Sequence, residues 1–290
     1  MAKLRTRNHR VVLSRSGGGD AGITVMLVLL GAFMFLPMLY AIMQSLKPLD
    51  ELFMFPPRFI VMRPTLGNFK DLFSLMNTSW VPFSRYIFNT VLTSVTGTAG
   101  NLLFASMASY GFAKIKFPGG RRTFKLVRTS LMFHSTVTAT TNFILMSAFK
   151  LVDTYWALIL PAWCTTIGLY LMKQFMDSSV PDTVLESARL DGAKELTIFW
   201  RIAMPMVKPA WLTLIVYCFQ GLWNAGSSRY IHSEQLKSFN YAITQILAGG
   251  IKRSGAGAAS TIIMMLVPLM VFVITQSNIL ETMGSSGMKD

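Results

Sequence analysis

The chain has 290 residues, 52% hydrophobic and only 14% charged, and its mean hydropathy is +0.46. A soluble domain carries roughly 25% charged residues, so the composition excludes an ordinary water-soluble enzyme. The net charge of +14 is not gathered into a basic patch on a soluble fold, which argues against a nucleic-acid partner.

Residues 1–20 read as a basic cytoplasmic arm carrying Lys3, Arg5, Arg7, Arg10 and Arg15. Its Ser16-Gly17-Gly18-Gly19 run has neither a strand before it nor the Lys-Ser or Lys-Thr that a phosphate loop needs after it. Beyond the arm, six runs near residues 21–46, 86–113, 129–149, 154–172, 209–228 and 254–280 contain no Asp, Glu, Lys or Arg. Crossing about 30 Å of hydrocarbon takes about 20 apolar helical residues, and only helices satisfy the backbone of such runs in lipid. The expected fold is an all-α integral membrane protein with six transmembrane helices, and residues 21–290 form one membrane domain. The first run follows a basic stretch as a signal peptide would. It is long and lacks an A-x-A-type cleavage site, so a retained first helix is expected.

With the N-terminus inside, seventeen of the 27 Lys and Arg fall on cytoplasmic segments, which predicts an N-in/C-in topology. The segment 47–85 would then lie outside; Pro48, Pro56, Pro57, Pro64 and Pro82 make it an extended cap with one short helix near 68–75. Lys114–Arg122 is a basic inner turn, Asp153–Trp156 a tight outer turn, and 229–253 a polar outer loop.

The runs exclude several mechanisms. An ion-coupled transporter needs ionisable groups in its spans, and His134 is the only candidate. No charge rings or filter-like loop suggest a channel. Cys164 and Cys218 fall inside spans as free thiols. His9, His134 and His232 show no ligand spacing, so no metal and no catalytic group is expected. The polar residues of the spans include Asn101, the Ser135–Asn142 run, Gln220, Trp223 and Asn224. Such residues join helices, or they line a route for an uncharged polar solute. An indole beside amides suits a sugar ring, so Asn142, Gln220, Trp223 and Asn224 are candidates for a translocation path.

Between the fourth and fifth runs, 177–205 reads as a polar coupling hairpin. Pro181 opens a helix with Asp182 in its first turn. Glu186 and Arg189 are spaced to pair at i,i+3, Gly192 ends the helix, Ala193–Ala203 forms a second one, and Pro205 breaks it. Glu186-Ser187-Ala188-x-x-Asp191-Gly192, nine residues, then Ile202-x-Met204-Pro205 resembles the EAA loop of ABC-importer permeases. Ser187 and Met204 depart from that pattern, which has Ala and Leu there. Ser45-Leu46-Lys47-Pro48, Asn89-Thr90, Ala108–Ala113, Tyr155–Pro161, Trp223-Asn224 and Gly287-Met288-Lys289 are similar to the carbohydrate branch of these permeases, the MalG-like type. Ala225 stands where relatives carry an acid.

The resemblance implies a subunit of a binding-protein-dependent sugar importer in the bacterial inner or plasma membrane, working by alternating access. It implies a homologous second permease chain, two ABC ATPase subunits, an extracytoplasmic solute-binding protein and surrounding lipid as partners. ATP and Mg would be bound by the ATPase, with no cofactor on this chain. Glu186, Ser187, Ala188, Arg189, Asp191, Gly192, Ala193 and Pro205 would form the ATPase-coupling surface. Permeation of another polar solute (a polyol or glycerol phosphate), a secondary transporter or channel, and a membrane anchor remain alternatives.

Overall fold

The computed structural model describes residues 17–77, 81–133, 135–226 and 229–286. His9 and the rest of the arm before Gly17, His134, Ser227-Ser228 and Gly287-Met288-Lys289 lie outside the described residues. Among the described residues every regular element is helical.

Helix α1 (Gly17–Leu46) covers the first run and begins within the stretch read as the arm. It is apolar on all sides. The chain then turns back in a cap holding α2 (Leu49–Leu52) and α3 (Gly67–Asn77). Lys47, 1% exposed, anchors this cap by donating from Nζ to the Arg58 carbonyl, while Glu51 Oε1 accepts from the Met62 N–H at 2.8 Å. Asn68 Nδ2 reaches the Ser45 and Lys47 carbonyls at 2.8 and 2.7 Å. Between α2 and α3 the prolines interrupt backbone bonding, and buried side chains supply partners there.

The organising helix is α4 (Phe83–Lys114); its 32 residues span about 48 Å. It is followed by α5 (Gly120–Ser130) and α6 (Ser135–Ala148), then α7 (Trp156–Trp163) and α8 (Thr166–Ser179). Both α7 and α8 pack on α4. Close approach is possible because α4 carries Gly100: a Cβ there would lie 1.9 Å from Trp163 Nε1, which donates to the Thr96 carbonyl at 3.0 Å.

The run 129–149 is not a single helix. A turn interrupts it, and α6 has 14 residues, about 21 Å and too short to cross a bilayer. The run 154–172 is also broken, between α7 and α8, where Cys164 and Thr165 leave the helix after Pro161. Asn101 mends that break from α4, its Nδ2 donating to the Ala162 carbonyl and Thr165 Oγ1, both at 2.6 Å. Freed backbone groups inside a membrane need such substitutes.

After α8 come α9 (Asp182–Leu190), α10 (Glu195–Ile198), a widened π turn (Phe199–Ala203), α11 (Met204–Met206) and α12 (Lys208–Trp223). Pro205 does not break the second arm of the hairpin. The π turn before it pairs the Met204 N–H with the Phe199 carbonyl, so the helix continues through the proline. The break comes at Val207, where the chain bends by 82° into α12. The chain closes with α13 (Phe239–Ala248) and α14 (Ser254–Ser286), which packs on α12, α1 and α3.

Among the described residues four segments are long and apolar enough to cross a membrane: Gly19–Leu46, Phe83–Lys114, Trp156–Ser179 and Ile251–Gln276; the bent pair ending in α12 makes a fifth if it is one span.

Among the described residues the core has two centres. One surrounds the Lys114 end of α4 and includes Tyr110, Met172, Met176, Leu185, Ile198 and Phe199. The other surrounds the Phe83 end, with Leu72, Tyr86, Phe239 and Ile243. At this second end the polar loop before α13 is bound to α4. Asn89 Nδ2 donates to the Gln235 and Lys237 carbonyls at 2.8 and 2.9 Å, and Tyr155 donates to Asn89 Oδ1 at 2.7 Å. Thr90 Oγ1 accepts from the Phe239 N–H at 2.8 Å.

Candidate functional site

The hairpin is built from the cap of α9 outward. The Ala193 N–H bonds to the Ala188 carbonyl and the Gly192 N–H to the Arg189 carbonyl, both at 3.0 Å, which is a Schellman closure. Gly192 takes the left-handed conformation that this closure requires, with φ +81°. Space around it is open: a Cβ there would meet nothing within 4 Å.

Leu185 and Ala188 point inward and join the core around Tyr110, whereas Glu186, Ser187, Asp191 and Gly192 face solvent. Ala188 therefore serves the packing of the hairpin on its own bundle. Ser187 Oγ donates to the Thr183 carbonyl at 3.0 Å.

Arg189 pairs with Glu195 across the turn, Nε to Oε1 at 2.6 Å, rather than with Glu186 on its own helix. The Schellman turn brings the second arm back over the first, so the partner six residues on wins over the one three residues back. Their contact raises the Arg189 pKa above its usual value.

Two bonds weld the hairpin to α4. The Tyr110 hydroxyl donates to Glu195 Oε2 at 2.8 Å, and Lys114 Nζ meets Asp182 Oδ1 at 2.8 Å. Tyr110 and Lys114 are one helical turn apart, so one face of α4 holds both arms. The Lys114 bond keeps the Asp182 carboxyl below the ordinary range. At the base of the hairpin, Trp211 Nε1 donates to the Met204 carbonyl at 3.1 Å, across the bend.

The outer face of the hairpin is apolar as well as charged. Leu190 is 89% exposed and Leu196 64%, with Trp200 and Val184 also open. Sequence reasoning passed over these four. The available signal was large apolar residues interspersed in a segment otherwise too polar to be membrane-embedded.

The candidate path residues separate into three situations. Gln220 and Asn224 are exposed and line both an open groove of about 540 Å³ between α7 and α12 and one of about 430 Å³ between α12 and α14. Asn224 caps α12, its side chain bonding back to the Gln220 carbonyl at 2.9 Å, and its own carbonyl accepts from Asn240 Nδ2 at 2.6 Å. Trp223 is 3% exposed; its Nε1 donates to the Met264 carbonyl at 3.1 Å and its ring stacks on Phe219. That indole pins α12 to α14. Asn142 is half-buried on α6, beside Phe143, which stacks on Tyr230 of the groove wall at 6.4 Å. Among the described residues no cluster of three or more His, Cys, Asp or Glu could hold a metal ion.

The described structure is thus a helical membrane bundle that presents a capped polar hairpin at one end of its central helix. The family model described as "Binding-protein-dependent transport system inner membrane component" matches residues 101–285. The chain belongs to that family, and with it to the multi-pass components of the bacterial inner membrane. Among curated proteins it is 34% identical over 199 residues to Protein LplC of Bacillus subtilis, covering 67% of this chain and 63% of LplC. It is 29% identical over 202 residues to the arabinooligosaccharides transport system permease protein AraQ of the same organism, covering 70% and 71% of the two chains. A solved bacterial ABC transporter involved in importing the acidic polysaccharide alginate shares the fold, with a TM-score of 0.75, 19% identity, and coverage of 91% of this chain and 98% of that one.

Proposed function

We propose that the chain is one of two membrane subunits of an ATP-driven importer of oligosaccharides, set N-in/C-in with six crossings, the third made by the whole interrupted run 129–149 and not by α6 alone. In this reading ATP and Mg are bound by two separate ATPase subunits. A homologous second permease completes the path, and a solute-binding protein delivers cargo at the Phe83 end. The observation that carries the reading is the hairpin welded to α4. A polar element with an open, glycine-capped tip and exposed Leu190, Leu196 and Trp200 is suited to enter a cleft in another subunit. Its ties through Tyr110 and Lys114 make α4 move with it.

The grooves fit a neutral polar cargo. Gln220 and Asn224 offer directional hydrogen bonds beside the apolar faces of Tyr217, Tyr230 and Phe219. ATP binding need only favour the paired arrangement of the hairpins over the separated one to shift the bundle between its two openings.

The test is reconstitution with the ATPase subunits, second permease and binding protein, screening oligosaccharides for stimulated ATP hydrolysis. Gly192→Trp should insert normally and abolish stimulation. Gly192→Asn, which tolerates the left-handed conformation, should keep most of it. Normal uptake by the Trp variant would overturn the coupling role.

A further inference from the structure

A cavity of about 840 Å³ lies away from the solute side. It lies at the Lys114 end of α4, between the turn 114–122 and the inner flank of the hairpin. Its charges do not cancel. Of the three carboxylates that line it, Asp182 is bonded to Lys114, and Glu195 to Arg189 and Tyr110. That leaves Glu186 alone against Lys116, Arg121 and Arg122, which line the same cavity with no acidic partner within salt-bridge reach among the described residues. Three exposed cations converge where one carboxylate faces them, so the cavity is short of negative charge.

We propose that this cavity seats the phosphate headgroup of an anionic membrane lipid, which braces the hairpin from behind. The surroundings favour lipid over an acidic protein surface. Phe112 packs between Phe117 and Phe124, with ring centroids at 5.6 and 5.7 Å, and Phe124 stacks in turn on Tyr170 at 6.2 Å, an amphipathic ring of the kind enriched at the headgroup layer. Helix α5 starts at the rim with Arg121 and Arg122 and carries Lys125 and Arg128 further along, with apolar Leu126 open between them. Leu126 is 73% exposed, and beyond the helix Met132 and Phe133 are 85% and 61% exposed. One short element thus carries both a seat for phosphate and a surface for acyl chains. Because the opposite wall is Asp182, Glu186, Arg189 and Glu195 of the hairpin, a lipid in the seat bears on the element that would meet the ATPase.

The test uses the full chain in phosphatidylcholine nanodiscs doped with phosphatidylglycerol, with retained lipid counted by native mass spectrometry. R121Q/R122Q should weaken phosphatidylglycerol retention by about fivefold per charge. K125Q/R128Q removes equal charge from the same helix outside the cavity and should weaken retention much less. Equal losses in the two variants would mean diffuse attraction and refute the seat, as would unchanged retention in R121Q/R122Q. Displacement of the lipid by inorganic phosphate alone would make the site a free-anion site and refute the lipid assignment. The proposal also falls if R121Q/R122Q loses ATPase-subunit binding while keeping its lipid. Oligosaccharide-stimulated hydrolysis of the wild-type complex, measured separately, reports on the transport reading and does not enter this comparison.

Discussion

Removing one oxygen atom should loosen the hairpin without unfolding the bundle. In Tyr110→Phe the ring stays, 4% exposed and packed at 5.4 Å on Phe199, while the bond to Glu195 Oε2 is lost. A hydrogen bond to a charged group contributes about 1.5–3 kcal/mol when shielded. Glu195 keeps 47% of its side-chain surface and can rehydrate, so about 1 kcal/mol is expected. Amides of residues 182–195 should then exchange with deuterium roughly fivefold faster, with those of α14 unaffected. A double-mutant cycle with Glu195→Gln should return a coupling of about 1 kcal/mol. Exchange unchanged in the hairpin, or accelerated equally across the chain, would refute the argument that Tyr110 ties it to α4.

Three further outcomes follow from the geometry. Gly100→Ala places a methyl against the rigid Trp163 indole, so α4 and α7 must separate and detergent-solubilised protein should melt lower by an amount on the order of 1–3 kcal/mol; an unchanged melt counts against close packing there. Asn101→Leu strips the break after Pro161 of its substitute partners, costing about 1–2 kcal/mol; the exposed Cys164 should react faster with maleimide while the buried Cys218 does not. Asp153 accepts from the Ser233 hydroxyl and from the Ser233 and His232 N–H groups at 2.8 and 2.9 Å, with the Ser233 hydroxyl the largest cause holding its pKa below 3.8. Its contribution is complete above the unfolded value and is lost as pH falls through the lower folded one. Protease nicking of 229–238 should therefore stay flat down to about pH 4 and rise below it, and Asp153→Asn should remove that dependence.

The sequence announces α1, α4 and α14 plainly, because long charge-free runs have no other stable form in lipid. It does not announce the break between α7 and α8, since the amide that makes it tolerable comes from Asn101, more than sixty residues upstream. The hairpin was legible as a capped polar element, and Gly192 sits where the spacing put the turn. The partner of Arg189 was not legible: helical spacing names Glu186, and only the folded-back second arm presents Glu195. Trp223 looked like a sugar platform because an indole beside amides reads the same in one dimension whether it faces a cavity or a neighbouring helix. Its bond to the Met264 carbonyl decides that it packs.

The elbow at Val207 gives the hairpin mechanical advantage. Two stiff arms joined at 82° and clamped by Trp211 behave as a bell crank: a sideways push on the short arm becomes rotation of the long one. The 16 residues of α12 reach about 24 Å, and Gln220 and Asn224 stand at the far end. A small rotation about the elbow is therefore magnified where those two amides sit.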